Sequence, residues 1–156
     1  MSDRLKFLHL LSAEFDELVD VTSTLRRYKN FAPDSSDADT FQNALNLNVV
    51  ISYARNFTEC KGFNDIKGIR KALKKNFSKE EKELHKSIMD LRNEAYAHSD
   101  SKAHDIQIID DEFFTFSKLV PRQQLSQEVL ELLSGMVVKI REKIEELIAN
   151  HKKVKK

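Results

Sequence analysis

Apolar residues in this chain return at steps of three and four rather than two, so the segments they fill can bury one side only as helices. From Asp3 to about Tyr28, Leu8, Leu11, Phe15, Leu18 and Leu25 form such a seam, with Glu14, Asp16, Glu17 and Arg26 on other faces. From Pro121 to about Ala149 a second seam runs through Leu125, Val129, Leu132, Met136, Ile140, Ile144 and Leu147, with proline suited to a first helical turn. Three glycines and two prolines in 156 residues leave few of the tight corners a sheet protein needs.

Two further helices lie between. Pro33 and Asp34-Ser35-Ser36-Asp37 interrupt the first pattern, and Ser36 or Asp37 can cap a helix from Ala38 to about Glu59. There Phe41, Ala44, Leu45, Leu47, Val49, Val50, Ile51, Tyr53 and Ala54 point in nearly every direction, which predicts a helix at the centre of a bundle. Its polar stripe, Asn48, Ser52, Arg55 and Glu59, lines either solvent or a site. Ser78-Lys79-Glu80-Glu81 is a capping-box pattern, and Leu84, Ile88, Leu91 and Ala95 continue it as a helix from about Lys79 to Ala97. Residues 61–77, with Gly62, Gly68 and the basic run Arg70, Lys71, Lys74 and Lys75, suggest a loop and a short helix. Ile106 and Ile108, then Phe114 and Phe116, alternate around Asp110-Asp111 as a small β-hairpin does. The expected fold is all-α: an antiparallel bundle of about four main helices with a small hairpin before the last. Residues 1–150 form one domain, and 151–156 a frayed basic tail.

Charge and composition exclude several functions. Twenty-six Lys and Arg against 25 Asp and Glu give a formal charge of +1, so any basic site is local. One cysteine, Cys60, makes no internal bridge, and no secretory leader pattern opens the chain, which points to a reducing cytoplasm. No apolar run approaches the roughly 20 residues that span a bilayer. Zinc-finger spacings, a Glu-X-X-His pair and a Gly-rich phosphate loop are all missing, so no metal or cofactor is expected.

The chemistry-bearing stretch is Asp90-Leu91-Arg92-Asn93-Glu94-Ala95-Tyr96-Ala97-His98-Ser99-Asp100. It offers a permanent cation, an amide and a group titrating near neutral pH, a set suited to a phosphate. In a straight helix Arg92 and His98 stand about 240° apart around the axis and about 9 Å apart along it, so they do not face the same way. His98 follows the line of Leu84, Leu91 and Ala95, whereas Arg92 aligns with His85, Met89 and Tyr96. One reading makes His98 structural, capping the last carbonyls or buried against one partner. The other gives it a site, and needs either an unwound last turn or a second copy of the helix.

This stretch resembles the Arg-X4–6-His signature of the HEPN superfamily, with the favoured polar residue, Asn93, directly after Arg92 and the small Ala97 before His98. The resemblance covers residues 90–100 in motif and roughly 1–150 in architecture. It implies an antiparallel helical bundle and a metal-independent endoribonuclease whose homodimer brings two motifs around an RNA phosphate. His98 then acts as general acid or base, Arg92 stabilises the charged phosphorane, and Asn93 orients His98 or the phosphate. Toxin–antitoxin or phage-defence settings, with a protein antitoxin as partner, follow from the same resemblance. So does the alternative of a catalytically silent module that binds protein or nucleotide. Tyr96 stacks on a base or packs within the bundle, Arg55 joins the phosphate site or pairs with Glu59, and the cluster from Arg70 to Lys75 guides RNA or is a solvated face.

Overall fold

A computed structural model describes residues 2–31, 36–58, 66–93, 106–110, 115–119 and 125–153. Its elements are α1 (Asp3–Phe31), α2 (Ser36–Arg55), α3 (Ile66–Lys74), α4 (Lys79–Leu91), β1 (Ile106–Asp110), β2 (Thr115–Leu119) and α5 (Gln127–Lys153). The all-α helical bundle expected from the periodicity is the architecture observed.

The first helix forms where its seam says it should. Ser2 caps it, accepting the Leu5 N–H at 3.3 Å, and Phe7, Leu8, Leu11, Phe15, Leu18 and Leu25 are buried. α1 and α5 run antiparallel, joined at successive levels by Ser2 to His151 (2.9 Å), Asp16 to Arg141 (2.7 Å) and Arg26 to Glu131 (3.2 Å). His151 therefore belongs to the end of a helix that reaches Lys153 rather than to a frayed tail.

α2 packs on both α1 and α4, and α5 packs on α1, α3 and α4. The second half of α2 feeds the core with Val49, Val50, Tyr53 and Ala54, but Phe41 near its start is 63% exposed and rests against Tyr28. Apolar residues in every direction thus mark a helix covered on different sides along its length.

Element boundaries moved for local reasons. α2 stops at Arg55 instead of Glu59 because the chain tightens there: Asn56 Nδ2 donates to the Ser52 carbonyl at 2.9 Å, and Arg70 Nε donates to the Asn56 carbonyl at 3.0 Å. α5 starts six residues after Pro121. Ser126 is its cap, accepting the Val129 N–H, while buried Asn46 of α2 accepts the Leu125 N–H at 2.8 Å. Pro121 itself, Glu59 and Cys60 lie outside the described residues.

The short helix suspected in 61–77 is α3, which sets Ile69 and Leu73 into the core. β1 and β2 pair antiparallel from Ile106↔Leu119 to Asp110↔Thr115, so the alternation there does mark a hairpin.

Candidate functional site

The helix that carries the motif is anchored at its start. Ser78 Oγ accepts the Glu81 N–H at 3.2 Å, and Glu81 accepts the Ser78 N–H at 2.8 Å, completing the capping box. Glu81 does more than cap. Its side chain is 3% exposed and receives Lys139 Nζ of α5 at 2.7 Å. Burial works to raise its pKa, yet the hydrogen bonds from Lys139 and the Ser78 N–H prevail and hold the carboxyl below its ordinary range.

One turn further, His85 shares a 2.8 Å hydrogen bond through Nδ1 with the hydroxyl of fully buried Tyr53. Phe57 and Phe77 meet the imidazole edge-on, with centroids at 4.7 and 6.0 Å. Burial, helped by the charge of Lys74, lowers the His85 pKa to about 4, and burial, helped by Glu81, pushes the Tyr53 phenol above its ordinary value. The pair is therefore neutral near pH 7 and locks α2 to α4. Periodicity placed Tyr53 among apolar neighbours and His85 on a strip with Arg92, but nothing local marks two residues 32 positions apart as partners.

At its far end α4 changes character. Arg92, the C-cap of α4, keeps α-helical backbone angles (φ −61°, ψ −44°) and donates its N–H to the Ile88 and Met89 carbonyls, and a π-type turn covers Arg92 and Asn93. Arg92 Nη1 donates to Asn93 Oδ1 at 2.9 Å, which brings the first two motif residues together on an accessible surface. Arg92 is half-buried and Asn93 exposed. Glu94, Tyr96 and His98 lie outside the described residues.

Among the described residues no hydrogen bond or ion pair joins the Arg55 side chain to that pair. It is exposed at the last residue of α2, and two helical steps carry it about 200° around from Tyr53, the residue that faces α4. The polar stripe to which it belonged is not continuous: Ser52 is buried and donates to Asn48 Oδ1 at 2.8 Å.

A cleft of about 340 Å³ opens elsewhere, between the α3–α4 junction and α5, with Leu73, Asn76, Phe77, Lys139, Lys143 and Glu146 among its walls. Lys139 is held by Glu81, and Lys143 by Glu146 at 2.6 Å, so both cations are already engaged. Among the described residues no group of three or more His, Cys, Asp or Glu side chains converges to hold a metal, and no helix is long and apolar enough to cross a membrane. Comparison of the chain with protein-family models, with curated proteins and with solved structures finds no match.

Proposed function

We propose that this chain is a HEPN-like, metal-independent endoribonuclease that works as a homodimer in the cytoplasm. The observation that carries the proposal is the Arg92–Asn93 hydrogen bond at the loosened end of α4. A guanidinium that spends one donor on a neighbouring amide is fixed in direction and keeps its remaining N–H groups for phosphate oxygens. The π-type turn at Arg92 and Asn93 supports this reading, because a joint site for Arg92 and His98 requires an irregular helix end.

In the proposed reaction His98 takes the proton of a ribose 2′-hydroxyl, whose oxygen attacks the adjacent phosphorus. Arg92 balances the negative charge that builds on the non-bridging oxygens, and the 5′-oxygen of the next nucleotide leaves with a proton. A two-fold interface brings a second motif to the same phosphate and supplies the acid that the leaving oxygen needs. A toxin–antitoxin or defence role, with an inhibitory protein partner, is the setting suggested by the HEPN resemblance.

The test is cleavage of single-stranded RNA in EDTA by the wild type, His98→Ala and Arg92→Ala, with thermal melting of each. The proposal expects cleavage by the wild type and a loss of about 100-fold or more in each variant without loss of folding. An inert wild type, or variants that cleave as well as it does, would instead favour the silent helical module.

A further inference from the structure

Charge is unevenly distributed among these helices. α1 and α5 each carry five Lys or Arg and five Asp or Glu. Several of those cations are closed in ion pairs: Lys6 with Asp3, Arg26 with Glu131, Arg141 with Asp16, Lys143 with Glu146 and Lys139 with Glu81. Residues 66–93, which contain α3 and α4, hold nine Lys or Arg against four Asp or Glu, in a chain whose whole formal charge is +1. One of the four acids, Glu81, faces inward, and Glu80 accepts the Ser78 hydroxyl at 2.8 Å.

The excess is arranged in a row. Lys79, Lys82 and Lys86 are exposed on α4 and fall within about 60° of one another around its axis. The row runs along α4 towards its end at Leu91, which Arg92 and Asn93 follow. On the preceding segment Lys71 and Lys75 are exposed one turn apart. None of these five lysines has a carboxylate partner among the described residues, although Glu83 and Asp90 flank the row.

We propose that this lysine ridge is a docking track for the phosphate backbone of a single nucleic-acid strand, leading to Arg92 and Asn93. The identity of the strand as RNA and its destination rest on the nuclease reading; the ridge itself rests on the charge pattern. A file of ammonium groups at regular helical steps matches a polymer of phosphates better than one bidentate anion, for which arginine is the suited side chain. Insertion into a lipid surface needs large apolar side chains beside the basic ones. The exposed large apolar residues among those described, Leu10, Phe41, Leu132 and Val138, lie on α1, α2 and α5.

Fluorescence anisotropy with labelled oligothymidine of about 20 nucleotides tests the ridge without cleavage, because that strand has no 2′-hydroxyl. The combined Lys79→Gln, Lys82→Gln and Lys86→Gln variant is compared with a control that loses equal charge elsewhere, Lys6→Gln, Lys29→Gln and Lys143→Gln. Between roughly 50 and 200 mM salt, removing three phosphate contacts lowers the slope of log K against log salt by about 2, and at the low end weakens binding about 10- to 100-fold. The control changes by less than about threefold. Wild type that does not bind oligothymidine, or ridge and control variants that weaken equally, overturns the proposal. So does ridge-dependent binding to phosphatidylserine vesicles or polyglutamate that matches or exceeds binding to oligothymidine. Binding to the ridge by a protein that leaves RNA uncut would support the track and sink the nuclease reading alone.

Discussion

The two ends of α4 are built on opposite plans. Its first half is tied down by Ser78 through the capping box, by Lys139 of α5 through Glu81, and by Tyr53 of α2 through His85. At its end, among the described residues, Arg92 donates to its own neighbour Asn93 on a π-type turn. The start of the helix spends its polar groups on contacts with other elements, whereas the bond described at its end is local. That division has measurable consequences.

The largest is at Tyr53, whose ring is fully buried against Phe57 and His85. Tyr53→Ala should cost about 3 to 5 kcal/mol in chemical denaturation, the loss usual for removing a buried aromatic ring. Tyr53→Phe keeps the ring and drops only the hydroxyl, so its cost should be about 1 to 2 kcal/mol. Equal losses in the two variants would mean that the hydrogen bond to His85, and not ring packing, holds α2 to α4.

Next comes Glu81→Ala, which removes half of the capping box together with the acceptor of Lys139. About 2 kcal/mol should be lost, because the Ser78 N–H is left without its partner while Lys139, already half in solvent, rehydrates. A loss near zero would show that the buried carboxylate is incidental.

A smaller effect should appear on acidification. The folded-state pKa of His85 lies near 4, below the ordinary 6.5. The unfolded chain therefore binds its proton first, so stability contributed by neutral His85 is intact above about pH 6.5 and declines as pH falls towards 4. Because the ring is only partly buried, the decline attributable to it should be about 1 to 2 kcal/mol. Denaturation of the wild type and His85→Gln across this range checks it; a His85→Gln curve of the same slope would contradict the assignment. At the other end of the helix Arg92→Ala should move stability by less than about 0.5 kcal/mol, since its contact is exposed and local.

The same contrast explains what was legible in the sequence. The Ser78–Glu81 cap and the seams of α1 and α5 are local codes, carried by residues within a turn or two of each other. The all-helical bundle followed from them, and the alternation of Ile106 and Ile108 with Phe114 and Phe116 marked the hairpin but not its register. Partners set by tertiary packing were not legible: Asn46 with the Leu125 N–H, Tyr53 with His85, and Glu81 with Lys139 are 79, 32 and 58 positions apart. For that reason the sequence points to Pro121 as the opening of the last helix, whereas a distant asparagine and Ser126 together fix it at Gln127. Likewise, chemical type alone groups Arg55 with Arg92, whereas helical rotation sends Arg55 to the opposite side of α2 from Tyr53. The Arg92–Asn93 pairing was visible as adjacency, but the turn that loosens around it was not.

In the proposed function the end of α4 performs phosphate chemistry through a ribose hydroxyl and without a metal. Its most direct test is end-group analysis of RNA incubated with the wild-type protein in EDTA. Attack by the 2′-hydroxyl should leave 2′,3′-cyclic phosphate and 5′-hydroxyl ends that disappear with His98→Ala. Ends carrying a 5′-phosphate, cleavage that requires an added divalent ion, or intact RNA would contradict it.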